Sequence, residues 1–162
     1  MVGDILRRSH VAPGRVCLKL TESVFMGDVG YFGPTLGRLK ALGVSLSIDD
    51  FGTGYSSLSY LKRFPVDEVK VDRAFVDGLG TDPHDSSLVS AILAMADALD
   101  LSVTAEGVET QQQLAILTQL KCQRAQVYYL ARPMPASGID HLIALARRWP
   151  IGGEEPDTKG LR

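Results

Sequence analysis

The chain has 162 residues, 45% of them apolar, with 17 Lys and Arg set against 19 Asp and Glu for a net charge of -2 at pH 7. That content suits one globular domain and predicts no electrostatic footprint for a nucleic acid polymer or an anionic membrane. No apolar run reaches membrane-spanning length and residues 1–13 lack the apolar core of a signal peptide, so a cytoplasmic protein without membrane contact is expected.

Residues 2–9 carry Val2, Ile5 and Leu6 at helical spacing, and Pro13-Gly14 ends that element. A strand is expected over Val16–Leu20, closing on Thr21-Glu22-Ser23. Asp28 is placed to cap a helix running to Leu42, with Phe32, Leu36 and Leu39 on one face and Gly43 as its stop. The apolar run Val44–Ile48 reads as a second strand. It leads into an acidic, glycine-rich loop, Asp49-Asp50-Phe51-Gly52-Thr53-Gly54, and then a short helix, Ser57–Phe64, halted before Pro65. Asp67–Val71 is a third strand, followed by a helical turn at Asp72-Arg73. Asp85 or Ser86 caps an amphipathic helix with Leu88, Ile92, Met95 and Leu99 inward. Leu101–Ala105 is a fourth strand ending in Glu106-Gly107. Thr110 caps a helix through Leu120, with Leu114 and Leu117 inward. Ala125–Leu130 is a fifth strand, ending near Arg132-Pro133, and Ile139–Trp149 a final helix. Residues 1–150 form the domain, and 151–162, lacking apolar periodicity, read as a flexible tail.

Five alternations of strand and helix predict an α/β protein with a parallel sheet, either doubly wound or a TIM-type (β/α) barrel. No G-x-G-x-x-G lies between a strand and a helix, which leaves a dinucleotide fold weakly supported. Cys17 and Cys122 lie in apolar surroundings without ligand spacing and read as reduced, buried cysteines. His10, His84 and His141 are scattered and read as surface residues.

The Asp49-Asp50 pair, taken alone, is open to two readings. It is a cation site, or a turn in which Asp50 caps and the glycines supply positive φ. The other strand ends favour the site. They carry Glu22, then Lys70 and Asp72, then Glu106, then Gln126. Active sites of β/α barrels are assembled at that face from several strands. The period-2 pleat groups Ser47 with Asp49, Lys70 with Asp72, Ser102 and Thr104 with Glu106, and Gln126 with Tyr128. By the same count Lys19 points with the polar set, into the place where carboxylates would gather a cation. Metal-assisted hydrolysis fits these groups. Carboxylates hold Mg²⁺ or Mn²⁺ and the ion lowers the pKa of a bound water; Lys70 either orients that water or neutralises a phosphate, or is a strand-end lysine in an ion pair with Asp49 or Asp72.

Leu20-Thr21-Glu22-Ser23, Ile48-Asp49-Asp50-Phe51-Gly52-Thr53-Gly54-Tyr55-Ser56-Ser57-Leu58, Lys70-Val71-Asp72, Ala105-Glu106-Gly107-Val108-Glu109-Thr110 and Arg132-Pro133 resemble the EAL domain family in order and spacing from about residue 5 to residue 147. The family consists of bacterial cyclic-di-GMP phosphodiesterases on a modified β/α barrel. They open the cyclic dinucleotide to linear pGpG with two Mg²⁺ or Mn²⁺ ions. The resemblance implies that Asp49, Asp50 and Glu106 are metal ligands and that Lys70 and Gln126 lie beside the catalytic water. It implies that Glu22 holds the acidic loop in position, and that Asp72 and Arg132 contact the substrate. It further implies that the 50–58 loop lies at a dimer contact.

Three departures qualify the match. The Glu-Ala-Leu signature and the next strand's metal-binding asparagine are absent from this chain. Lys19 stands where the family pattern Leu-Glu-x-Thr-Glu has a metal-binding glutamate. Gln126-Val127 replaces the usual Gln-Gly. A partial, degenerate barrel of about five strands is therefore expected, with hydrolysis impaired, metal binding doubtful and weak or no cyclic-di-GMP binding. Its open sheet edges, or the 50–58 loop, would favour homo-oligomers. The alternatives are an active enzyme completed by a partner chain and a fragment that binds nothing.

Overall fold

The structure, a computed structural model, describes residues 1–21, 29–52 and 61–144. Its elements in chain order are α1 (Val2–Ser9), a 3₁₀ turn (Pro13–Arg15), β1 (Cys17–Thr21), α2 (Val29–Ala41), β2 (Ser45–Phe51), β3 (Glu68–Val71), α3 (Arg73–Asp77), α4 (Pro83–Ala98), β4 (Ser102–Val108), α5 (Gln111–Gln119), β5 (Arg124–Val127) and α6 (Ala136–Ala144).

All five strands pair in parallel, in the order β1-β2-β3-β4-β5. A doubly wound sheet reverses its strand order at a switch point; this sheet does not. The fold is therefore a segment of a TIM-type barrel, open because among the described residues β1 and β5 each pair on one side only.

The pleat divides the sheet into two chemically distinct faces. Leu46, Ile48, Val69, Val71, Val103 and Ala105 are at most 1% exposed on the helix-covered face. Burying a side chain of valine or leucine size contributes roughly 1.5–3 kcal/mol relative to leaving it in water, so this face carries the fold. The opposite face is polar throughout: Lys19, Ser47, Asp49, Glu68, Lys70, Thr104, Glu106 and Gln126.

Several boundaries differ from expectation, each for a local reason. The helix α4 begins at Pro83, with Asp82 accepting a hydrogen bond from the His84 N–H at 2.7 Å, and not at Asp85 or Ser86. Proline fits the first helical position because its missing N–H has no partner there anyway. Its inward face is Val89, Ile92 and Ala96, while Leu88 stays 46% exposed. The strand β5 ends at Val127, so Tyr128 lies in the turn that follows and not on the strand. The final helix starts at Ala136, before Ile139. Cys17 is exposed, not buried, because it opens the edge strand β1; Cys122 is half-buried, and both are free thiols. The three histidines are exposed, as expected. The Thr110 cap of α5 is a full capping box, with Gln113 answering the Thr110 backbone N–H. Glu22, the Asp28 cap, most of the Ser57–Phe64 helix and the 151–162 tail lie outside the described residues.

Candidate active site at the strand ends

A regular strand would send the side chains of Asp49 and Asp50 to opposite faces. The β2 strand avoids this with a bulge. Ile48 pairs with Val69 and Phe51 with Val71, so Asp49 and Asp50 of β2 together stand against Lys70 of β3. Ile48 and Phe51 thus both reach the apolar face, and both aspartates fall on the polar one. Asp50 absorbs the kink with φ +55°. Aspartate tolerates this left-handed conformation better than most residues, at a cost of about 1–3 kcal/mol. The acid pair is therefore part of a strand, not the start of a loop.

A second bulge does the same for Glu106. The β4 strand runs on to Val108, past the expected end at Ala105, and Ala105 and Val108 pair with Ala125 and Val127. Gly107 takes the left-handed position, φ +72°. A β-carbon there would stand 2.6 Å from the Arg73 Cγ, so only glycine fits beside α3.

The two bulges bring Asp49, Asp50 and Glu106 together, with one oxygen of each within 4.8 Å of the others. Lys70, 13% exposed, joins them from β3, with its Nζ bonded to the Glu106 Oε1 and 3.7 Å from the Asp49 Oδ1. Gln126 follows the residue that pairs with Ala105, which puts it level with Glu106, and its amide donates to the Tyr128 hydroxyl at 2.9 Å. Asp72 caps α3 by accepting from the Ala74 N–H at 2.8 Å. Arg132 is exposed beyond β5. Partial desolvation pushes the Asp50 carboxyl above its usual range; the Asp49, Asp72 and Glu106 charges act in the same direction, and Lys19 opposes them.

Lys19 reaches this cluster from the edge strand. Its Nζ lies 3.2 Å from each oxygen of Asp49 and 3.7 Å from the Glu106 Oε1. Three carboxylates are a suitable oxygen donor set for a hard divalent cation. With two ammonium groups on the same oxygens, that set does not fit one at Asp49 and Glu106 as built. At ~4 Å and an effective dielectric of about 20, each pair of unit charges interacts by roughly 4 kcal/mol, so a dication beside Lys19 would face about twice that in repulsion before solvent screening. Lys19 is 53% exposed, and screening reduces the figure without changing its sign.

Below the cluster lies a further polar layer, outside the expected site. Glu68, 8% exposed, accepts from the Thr104 hydroxyl at 2.5 Å and from Arg124 at 3.0 Å. The count that places Lys70 and Asp72 on the polar face also places Glu68 there, two residues earlier, and would have found it.

The fold and site define a class: a parallel β/α-barrel domain with a cluster of carboxylates on its carboxyl-end face. The EAL domain model matches residues 2–133, and the chain belongs to the EAL domain family. It is 48% identical over 146 residues to the cyclic di-GMP phosphodiesterase NbdA of Pseudomonas aeruginosa, covering 90% of this chain and 19% of that protein. The chain thus spans about a fifth of the length of the curated relatives it matches. The crystal structure of the EAL domain of Mycobacterium smegmatis DcpA superposes with a TM-score of 0.84 at 44% identity, covering 91% of this chain and 66% of that one. Klebsiella pneumoniae BlrP1, in its manganese and cyclic-di-GMP complex, superposes with a TM-score of 0.76 at 32% identity, covering 82% of this chain and 34% of that one.

Proposed function

We propose that this chain is an EAL-type domain that recognises cyclic-di-GMP, weakly, without hydrolysing it, and so acts as a binding or interaction module. The observation that carries this reading is the Lys19 ammonium 3.2 Å from Asp49 and 3.7 Å from Glu106, among the carboxylates that hydrolysis would need for a metal. In this reading Lys70 and Gln126 face the phosphodiester, and Asp72 and Arg132 lie at its margins. The family's Mg²⁺ or Mn²⁺ would supply an activated water and charge neutralisation. The donor set of this chain, with Lys19 on Asp49 and Glu106, does not accommodate that ion.

The test is calorimetric titration of the purified chain with cyclic-di-GMP, with and without Mg²⁺, alongside chromatography for pGpG. Measurable binding with no linear product is expected. Metal-dependent turnover would sink the reading, and an absence of heat under both conditions would leave a domain that binds nothing.

A second reading has its own support in the open edge at β1. An added strand there would lie directly beside Lys19, and a partner chain or a second copy could contribute the carboxylates this chain lacks. Activity appearing only at high protein concentration, with a matching rise in mass, would favour it.

A further inference from the structure

We infer that Lys19 is a built-in cation, an ammonium that occupies the place of a divalent ion at Asp49 and Glu106 and excludes one from it. This deepens the proposed function by assigning the site its cation, and it rests on that reading only for the site's identity. Four observations support it.

The first is geometry. Lys19 Nζ is equidistant, 3.2 Å, from both oxygens of Asp49, and it also reaches Glu106. It straddles two of the three residues that could gather a metal. A divalent ion needs those same lone pairs at roughly 2.0–2.6 Å, which would put it in contact with the ammonium. The second is constraint. Lys19 stands between Leu18 and Leu20, which pack against the core from the other face. The pleat therefore fixes its side chain on the polar face, and a one-residue slip would expose both leucines. Its register partner is Ser47, one level below Asp49. A long side chain can reach up to Asp49 from there.

The third is an orphaned oxygen. Asp49 Oδ1 is buried with no hydrogen bond in acceptable geometry, although two ammonium nitrogens lie at 3.2 and 3.7 Å. The two ammoniums therefore act on this oxygen as nearby charges and not as aligned donors, and the contact that places Lys19 here is Coulombic. The fourth is charge. The three carboxylates of the cluster are met by Lys19 and Lys70, which leaves a net charge of -1 where a cluster without Lys19 would stand at -2. The pull on a second cation is halved by a residue that is part of the chain.

The experiment uses Mn²⁺ alone as the probe, by titration calorimetry and by loss of the free-ion paramagnetic signal, on the full chain in metal-free buffer. The Lys19→Gln variant is expected to bind Mn²⁺ at least tenfold more tightly than the wild type. Lys19→Arg, which keeps a cation, should stay near the wild-type affinity, and adding Asp49→Asn to Lys19→Gln should abolish the gain. Circular dichroism confirms that each variant is folded. A wild-type affinity equal to that of Lys19→Gln would overturn the inference. So would a gain matched by Lys19→Arg, or one that survives Asp49→Asn. Failure of the chain to bind cyclic-di-GMP would remove the functional reading and leave the Mn²⁺ comparison standing, so the two can fail separately.

Discussion

Asp50 and Gly107 occupy equivalent places in β2 and β4, on either side of β3, each with positive φ at the top of a bulged strand. Both turn a neighbouring carboxylate onto the polar face, and Gly107 has the narrower tolerance because Arg73 crowds it. Gly107→Ala is expected to cost about 1–3 kcal/mol in urea unfolding, since it combines left-handed backbone strain with a steric clash. The thiols give a second check at this scale. Burial pushes the Cys122 thiol up; partial burial, with Glu68 and Asp67 nearby, raises that of Cys17. A raised thiol pKa means less thiolate at pH 8, so both should alkylate more slowly than a small free thiol, with the exposed Cys17 reacting first. The sign for stability follows. The folded state holds the Cys122 proton beyond the unfolded value of 9.0, so its contribution is complete below pH 9 and is lost as pH rises above it. Mass spectrometry after timed alkylation reads the first effect, and alkaline unfolding curves the second.

Among the elements, α4 shows how a helical pattern leaves one position open: Ile92 is buried and Met95 and Leu99 pack against the core as expected, and of that set Leu88 alone is exposed. Leu88 and Val89 are adjacent and both apolar, and periodicity alone cannot choose which faces the sheet. The Asp82 cap and Pro83 set the helix start, and the face that follows buries Val89, Ile92 and Ala96. Ile92→Ala should therefore cost about 2–5 kcal/mol. Leu88→Ala, on the half-exposed flank, should stay within about 0.5 kcal/mol of the wild type. Equal losses in urea titrations of the two variants would show that the helix is rotated from this description.

At the scale of the molecule, the five parallel strands among the described residues leave a polar face and two edges without a described partner, where a closed barrel of eight would have none. The charges on the polar face resist collapse there, and the edges offer unmet backbone groups. Light scattering after size exclusion should accordingly give a mass above the 17.5 kDa of one chain, rising with concentration. A 17.5 kDa species across the whole concentration range would show that the edges are closed within one chain.

Much of this was legible in the sequence because it rests on short-range rules. Alternating strand and helix patterns gave the α/β class, and the inward position of Lys19 followed from the pleat. Thr110 and Gln113 marked a helix start by local hydrogen bonding. The bulges were also written there, as Ile48-x-x-Phe51 and Ala105-x-x-Val108, but an extra residue in a strand is visible only when a partner strand supplies the register. Tertiary structure alone decided the rest. It set the unreversed strand order, fixed the distances that bring oxygens of Asp49, Asp50 and Glu106 within 4.8 Å, and placed the Lys19 ammonium on Asp49 and Glu106. Those facts depend on pairing between strands far apart in the chain, which no local pattern encodes.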